Sequence, residues 1–340
     1  MIMKKLLILC AFVACFFIAK TQDTKELHDT AKGFMRQGDF ANATLVLNKA
    51  LQQQPDNIEI TKDLAFNYYL QKDNTKALET IKPLIDRRDA DDQCFQIAGN
   101  IYKALNQPKE CEKLYKKGIK KFPQSGSLYN EYGELLWLMQ DLSAIKQWEK
   151  GIEMDPGYSS NYYNATKYYY VTSDKVWSII YGEIFINIES LTGRTAEIKN
   201  LLLDSYKKIF ADTDIFKPTK EKNNFEQAFL QTLFKQNTLA ASGINPETLT
   251  MIRTRFILDW FNSFSSKFPF RLFEYQLQLL REGMFDAYNQ WVFGTVQNLV
   301  AYKNWTTAHA VEYEEFSKFQ KGRIFKIPPK QYYHKISSSR

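Results

Sequence analysis

The sequence predicts an all-α chain: four or five stacked helical hairpins forming a superhelix, followed by an all-α C-terminal bundle. Three observations predict it. A pattern of small and bulky residues returns with a period of about 34 from Thr24 to about Pro156. Pro55, Pro123 and Pro156 close units, each just past an apolar-periodic stretch that proline cannot continue as helix. Beyond the repeats the phase is lost, yet apolar residues keep returning at helical spacing.

In register, units begin at Thr24, Ile58 and Asp92, and a fourth begins near Gly126. A helix–turn–helix repeat needs small residues where its helices cross and large apolar residues where hairpins stack. Ala31, Ala65, Gly99 and Gly133 take the first crossing position, followed one helical turn later by Phe34, Tyr68, Tyr102 and Leu136. In the second helix the small residues are Ala43, Ala77, Cys111 and Ala144, and Leu47, Ile81, Tyr115 and Trp148 follow. Gly38-Asp39, Lys72-Asp73 and Asn106-Gln107-Pro108 read as the turns between paired helices. The fourth unit is one residue short between Gly133 and Ala144, which predicts a tighter turn. A poorer fifth unit, from Tyr162 to about Ile186 with Tyr169, Ser178 and Gly182 fitting loosely, reads as a divergent repeat or cap.

This pattern resembles the tetratricopeptide repeat, carried by Leu27, Ala31, Phe34, Gly38, Ala43, Leu47, Ala50 and Pro55 and their counterparts in the next two units. The resemblance implies a scaffold that binds a protein or peptide partner on the concave face lined by first helices. Its register places Lys32, Arg36, Phe66, Tyr69, Asn100, Lys103, Glu134, Trp137, Lys167 and Tyr170 there. Long donors mixed with aromatics suit an extended peptide or partner helix. The competing reading is that Phe66, Tyr69 and Trp137 only cover the core. The clamp some family members use for a C-terminal carboxylate is not reproduced: its positions hold His28, Lys32, Asp63, Gln93 and Ile97.

Ahead of the repeats, Lys4-Lys5 and the apolar run Leu6 to Ala19 form a leader, shorter than the roughly 20 residues that span a bilayer. Ala19-Lys20-Thr21 is a small-x-small site, so cleavage before Gln22 is expected. Lipidation at Cys15 and an uncleaved anchor remain the alternatives. The leader has a bacterial look, and the expected location is the periplasm or cell envelope. Of four cysteines, Cys94 and Cys111 survive cleavage. Cys111 takes a crossing position, which suits a buried thiol, while an exported protein also permits a bridge between the two.

After the repeats, Thr195 to Phe210 reads as one amphipathic helix with Leu201, Leu202, Tyr206 and Phe210 on its apolar face. The polar segment Asp212 to Asn224, with Lys217-Pro218, reads as the domain boundary. Helices are then predicted from Phe225 to Phe234, from Asn245-Pro246 through Phe261, from Arg271 to Phe293, and from about Val296 to Lys318. The tail from Gly322 to Pro329 is extended by its prolines, and its basic residues invite comparison with an acidic-surface binder or with plain solvation. The predicted division is a leader (1–21), a repeat domain (24–190), a helix and linker (191–220), a helical domain (221–320) and an extended basic tail (321–340). Leader, repeats, aromatic helices and the ending Phe325 to Tyr333 together are similar to exported repeat proteins of Bacteroidetes, a resemblance that implies no particular activity.

Composition narrows the chemistry. The net charge of +7 is modest and interspersed, which argues against a dedicated nucleic-acid surface. Aromatics at 15% suit stacking plates in helical repeats. Only three histidines occur, and neither a G-x-S-x-G elbow nor a Gly-rich phosphate loop is present. His309, Glu312 and Glu315 lack the H-E-x-x-H zinc spacing. Glu282 and Asp286 sit one turn apart on one helix, unlike the facing carboxylates of a glycosidase. The expectation is a non-catalytic scaffold without metal or cofactor, without nucleic acid as partner and without a membrane span once the leader is removed. The alternative is a C-terminal enzyme or small-ligand module recruited by the repeats, with Trp291, Tyr288, Glu282, Asp286 and His309 as suspects. A third reading, a structural subunit of an envelope complex, predicts exposed apolar surface on the C-terminal half.

Overall fold

The structure, a computed structural model, describes residues 23–172, 174–217 and 222–334. The expected leader, Lys335, Ser337–Ser339 and Arg340 lie outside the described residues. By internal packing the chain divides into two compact units between Pro123 and Gln124. The segment 191–220 marks where the sequence pattern changes, whereas the division by packing falls after the third hairpin.

The first unit holds three hairpins: α1 (23–37) with α2 (Phe40–Gln53), α3 (Ile58–Leu70) with α4 (Asn74–Ile81), and α5 (Asp92–Ala104) with α6 (Pro108–Lys121). Side chains of Asp39, Asn57, Asp73 and Asp91 accept N–H bonds from Asn42, Ile60, Lys76 and Cys94 at 3.1–3.2 Å, satisfying donors that a helix start leaves orphaned. Pro108 opens α6, where its missing N–H costs nothing. Ala31, Leu47, Ala50, Ile60 and Leu64 form one buried cluster, as the crossing pattern requires. Tyr115 covers Gly99 so closely that a Cβ there would lie 2.1 Å from the Tyr115 hydroxyl. Cys94 and Cys111 are buried free thiols, and the Cys111 Sγ donates to the Gly99 carbonyl at 3.4 Å.

The same turn recurs inside each of the first four hairpins. Gly38, Lys72, Asn106 and Gln140 adopt left-handed backbone, with φ of 77°, 63°, 54° and 60°. The next N–H in each, from Asp39, Asp73, Gln107 and Asp141, bonds back to the carbonyls of Phe34, Tyr68, Tyr102 and Leu136 at 2.9–3.0 Å. These are Schellman closures, so the bulky stacking residue also terminates the helix. Since position 140 keeps the phase, the residue missing from the fourth unit falls after the turn. The second helix there starts only at Ala144, and the Ser143 N–H bonds to Asp141 Oδ1 at 2.8 Å.

The second unit opens with α7 (Gly126–Leu138) paired with α8 (Ala144–Met154), then α9 (Ser159–Val171) with α10 (Lys175–Ile188). The poorly matching fifth unit is therefore a full hairpin. Every residue of α10 from Val176 to Asn187 is buried, because helices cover it on several sides. The repeat phase also runs further than the sequence pattern suggested. Tyr163 bonds to Glu197, Tyr170 to Asp204 and Arg194 to Ser160, each pair separated by 34 residues. Helix α11 (Gly193–Ala211) thus packs beside α9 as the first helix of a further unit.

Beyond it lie α12 (Asn224–Phe234), the short α13 (Asn237–Ala240), α14 (Pro246–Ser263), α15 (Arg271–Arg281) and α16 (Phe285–Asn289). A π-helical turn, Gln290–Gly294, leads into α17 (Thr295–Gln297), α18 (Leu299–Ala308) and α19 (Ala310–Lys321). Asn245 caps α14 through the Thr248 N–H at 2.9 Å, with Pro246 at its first position, as predicted. Two predicted helices are broken. Between Arg271 and Phe293, Gly283 turns left-handed at φ 72° and the Met284 N–H closes onto the Leu279 carbonyl at 2.9 Å. Between Val296 and Lys318, Asn298 caps a fresh start, and the helix is interrupted again at His309. Rings of Phe225, Phe229, Phe256, Trp260 and Phe273 pack together at centroid distances of 4.8–6.3 Å. The described residues are all-α, with no strand, and no helix among them is long and apolar enough to cross a membrane.

Candidate functional site

The ten residues expected to line a concave face sit on first helices, six in the first unit and four in the second, and all are exposed or half-buried. In the first unit, Phe66 and Tyr69 stack at 6.0 Å on α3, while Arg36 projects into solvent from α1. Lys32, Asn100 and Lys103 are half-buried. Close by, His28 Nε2 pairs with Asp63 Oδ2 at 2.6 Å. Lys62 is buried and donates to Asp91, to Gln93 Oε1 at 3.0 Å and to Glu59 at 2.8 Å. Burial opposes its charge, but Asp91 and Glu59 outweigh that and raise its pKa. Of the positions that would hold a carboxylate clamp in the resembled family, His28, Asp63 and Gln93 are thus tied up in internal pairs, and Ile97 is buried.

In the second unit the four expected residues diverge. Glu134 Oε1 accepts from Asn130 Nδ2 at 2.9 Å and from Asn164 Nδ2 at 3.1 Å. Lys167 pairs with Glu197 at 2.9 Å and lies 4.8 Å from the Tyr163 ring centroid. The Tyr170 hydroxyl donates to Asp204 Oδ2 at 2.6 Å and accepts from Lys208 Nζ at 3.0 Å. The hydrogen bonds from Lys208 and Tyr170 pull the Asp204 carboxyl below its ordinary range. These three residues are held by neighbours on α7, α9 and α11.

Trp137 differs. It is 40% exposed, leans edge-on against Tyr168 at 5.6 Å and tilts against Trp148 at 6.1 Å. Leu138, Met139 and Leu142 beside it in sequence are exposed as well. An aromatic with one face supported and the other in water is a usual form for an interface anchor. The sequence register named Trp137 but did not name Tyr168 beside it, nor Glu197, Asp204 and Lys208, the partners of Lys167 and Tyr170. The separations 163 to 197 and 170 to 204 repeat the same period and were the available signal for α11.

The residues suspected of catalysis are not brought together. Tyr288 and Trp291 stack in the interior, whereas Glu282, Asp286 and His309 are exposed. His309 stacks on Trp305 at 4.3 Å. A narrow crevice lies elsewhere, among Ile179, Glu183, Tyr206, Arg253, Phe256 and Gln276. Its polar side chains bond one another: Glu183 Oε1 accepts from Arg253 and from Gln276 Nε2 at 2.6 Å.

The tetratricopeptide repeat family matches residues 34–98. No curated protein matches the chain. Among solved structures, a thermophilic TPR protein of Thermus thermophilus is 13% identical over 53% of this chain and 99% of its own, with a TM-score of 0.45. PilW, a type IV pilus biogenesis factor, is 17% identical over 55% of this chain and 86% of its own, with a TM-score of 0.45. A tetratricopeptide repeat protein of Parabacteroides merdae is 14% identical over 69% of this chain and 92% of its own, with a TM-score of 0.41.

Proposed function

We propose that this chain is a non-catalytic interaction scaffold that holds a peptide or partner segment on its exposed first-helix face. Trp137 carries this reading: it is half-supported by Tyr168 and Trp148 and bordered by exposed Leu138, Met139 and Leu142. Such a ring supplies apolar contact area at little entropic cost, since its neighbours already fix its position. Within the first unit, Lys32 and Arg36 add donors on α1, and Phe66 and Tyr69 stack on each other on α3. The leader read from the sequence supports a location outside the cytoplasm, in the periplasm or cell envelope.

The test is affinity capture by the tagged chain from its own envelope extract, run beside Trp137→Ala with Lys32→Glu. Proteins retained by the wild type and lost from a variant with unchanged circular dichroism support the reading. Equal retention by both would remove the first-helix face from consideration.

A further inference from the structure

The tail after α19 is anchored to the second unit by its apolar residues, while its Lys326 and Lys330 stay exposed. Residues 323–328 have no regular structure, and Phe325 and Ile327 are buried while their neighbours Ile324 and Lys326 are exposed. That alternation is the signature of an extended strand of chain laid against a surface. Arg323 Nη2 donates to Asn187 Oδ1 at 2.6 Å, at the end of α10, and its guanidinium lies 4.0 Å from the Tyr275 ring centroid. Gln331 Oε1 accepts the Arg271 N–H at 2.6 Å. The Tyr333 hydroxyl donates to the Pro269 carbonyl at 2.8 Å, its own carbonyl accepts from Asn223 Nδ2 at 3.1 Å, and its ring stacks on Phe225 at 4.5 Å. His334 is buried at the far end.

The way the tail is held resembles a bound ligand more than a structural element. Among the described residues, no backbone–backbone hydrogen bond ties 323–334 to any helix; the one within it joins Gln331 to Pro328. Its attachment is through side-chain anchors, and after the extended stretch the chain turns over Pro328-Pro329-Lys330-Gln331, where Lys330 is left-handed at φ 69° and the Gln331 N–H closes on the Pro328 carbonyl at 3.4 Å. The arm that leads to it is loosely packed, since α18 has no buried residue and α19 buries only Phe316. Beneath lies an aromatic floor, and only a narrow crevice remains between Ile152, Tyr162, Trp177 and Ile184 on one side and Ile327 and Tyr332 on the other.

We propose that this groove of the C-terminal unit is a second peptide-binding site, for segments presenting an aromatic and an aliphatic on extended backbone, then a proline turn and a further aromatic, and that the chain's own tail fills it as a displaceable strap. The occupant it fits is a partner segment with the tail's own pattern, Phe325-x-Ile327-Pro328-Pro329 followed by Tyr333, because that pattern is already seated there. The site is separate from the face around Trp137 and stands whether or not that face binds anything.

The experiment uses the full chain carrying Phe325→Ala and Tyr333→Ala, titrated against a fluorescent synthetic peptide of residues 323–334. The expected result is saturable binding to the variant, at least tenfold tighter than to the wild type, whose groove is filled. A variant that folds as the wild type does and leaves the peptide free overturns the proposal. If that variant does not fold, limited proteolysis of the wild type decides. Cleavage within 323–334 while the helices of the unit stay whole supports a strap that opens locally. A tail cut only together with those helices is an inseparable part of the core and overturns it.

Discussion

The Glu183 carboxylate and the Arg253 guanidinium face each other inside the second unit, with side chains only 2% and 3% exposed. Glu183 Oε1 also accepts from Gln276 at 2.6 Å and from the Tyr288 hydroxyl at 2.7 Å, while Arg253 reaches Asn289 and lies 5.2 Å from the Phe293 ring centroid. Burial alone would lower the Arg253 pKa, but the Glu183 charge outweighs it and raises the value. Removing one member of such a pair leaves an uncompensated buried charge.

Arg253→Met is therefore expected to cost about 3–5 kcal/mol in urea unfolding, and Glu183→Gln with Arg253→Met to recover much of that loss. A double variant no more stable than the single would show that the pair does not act as a unit.

Glycines at the helix crossings should tolerate no methyl group. A Cβ on Gly133 would lie 2.4 Å from Trp148 Nε1, so Gly133→Ala is expected to cost about 1–3 kcal/mol. Gly33, inside α1, has nothing within 4 Å of the corresponding point, and Gly33→Ala should gain roughly 0.5–1 kcal/mol. Thermal unfolding of the two variants side by side reads the difference in sign; equal shifts would refute the crossing assignment.

Lys199 is a buried amine whose Nζ donates to the Trp291 carbonyl at 2.6 Å and lies 3.8 Å from that residue's ring centroid. Burial pushes its pKa down to about 7 from 10.5. The unfolded chain therefore binds more protons between these values, and wild-type stability falls as pH drops from 10.5 to 7. Lys199→Met should be more stable than wild type at about pH 7, with the advantage shrinking toward about pH 10. Denaturant midpoints across that range check it, and a pH-independent difference would count against a titrating Lys199.

His334 gives the corresponding test at acid pH. Burial pushes its pKa down to about 4 from 6.5, with Glu153 opposing and Lys150 assisting. Its contribution is whole above pH 6.5 and is lost as pH falls to 4, a change of roughly 3 kcal/mol. His334→Leu should flatten that part of the stability profile, which urea midpoints at about pH 7.5, 6 and 4.5 would reveal; an unchanged slope would place the acid sensitivity elsewhere.

The sequence by itself determined the hairpins through Pro156. Their small crossings, bulky stackers, turns and caps are set by residues a turn or a hairpin apart, so a local pattern encodes them. Gly38, Lys72, Asn106 and Gln140 turn alike because the same short-range closure recurs, even where the side chain differs. The register also put Trp137 on an exposed face, while it could not tell that Lys167 and Tyr170 would be occupied by Glu197 and Asp204 of α11. Only the tertiary structure decided the rest. Glu183 meets Arg253 across 70 residues and Tyr288 across 105, and Asn187 meets Arg323 across 136. Phe325, Ile327 and His334 of the basic tail are buried, while Ile324, Lys326 and Lys330 stay exposed, because Phe225, Phe270 and Trp177, far apart in the chain, form a surface that receives one side of it. Periodicity records which side of a helix is apolar; which distant surface covers that side follows only from how the helices pack.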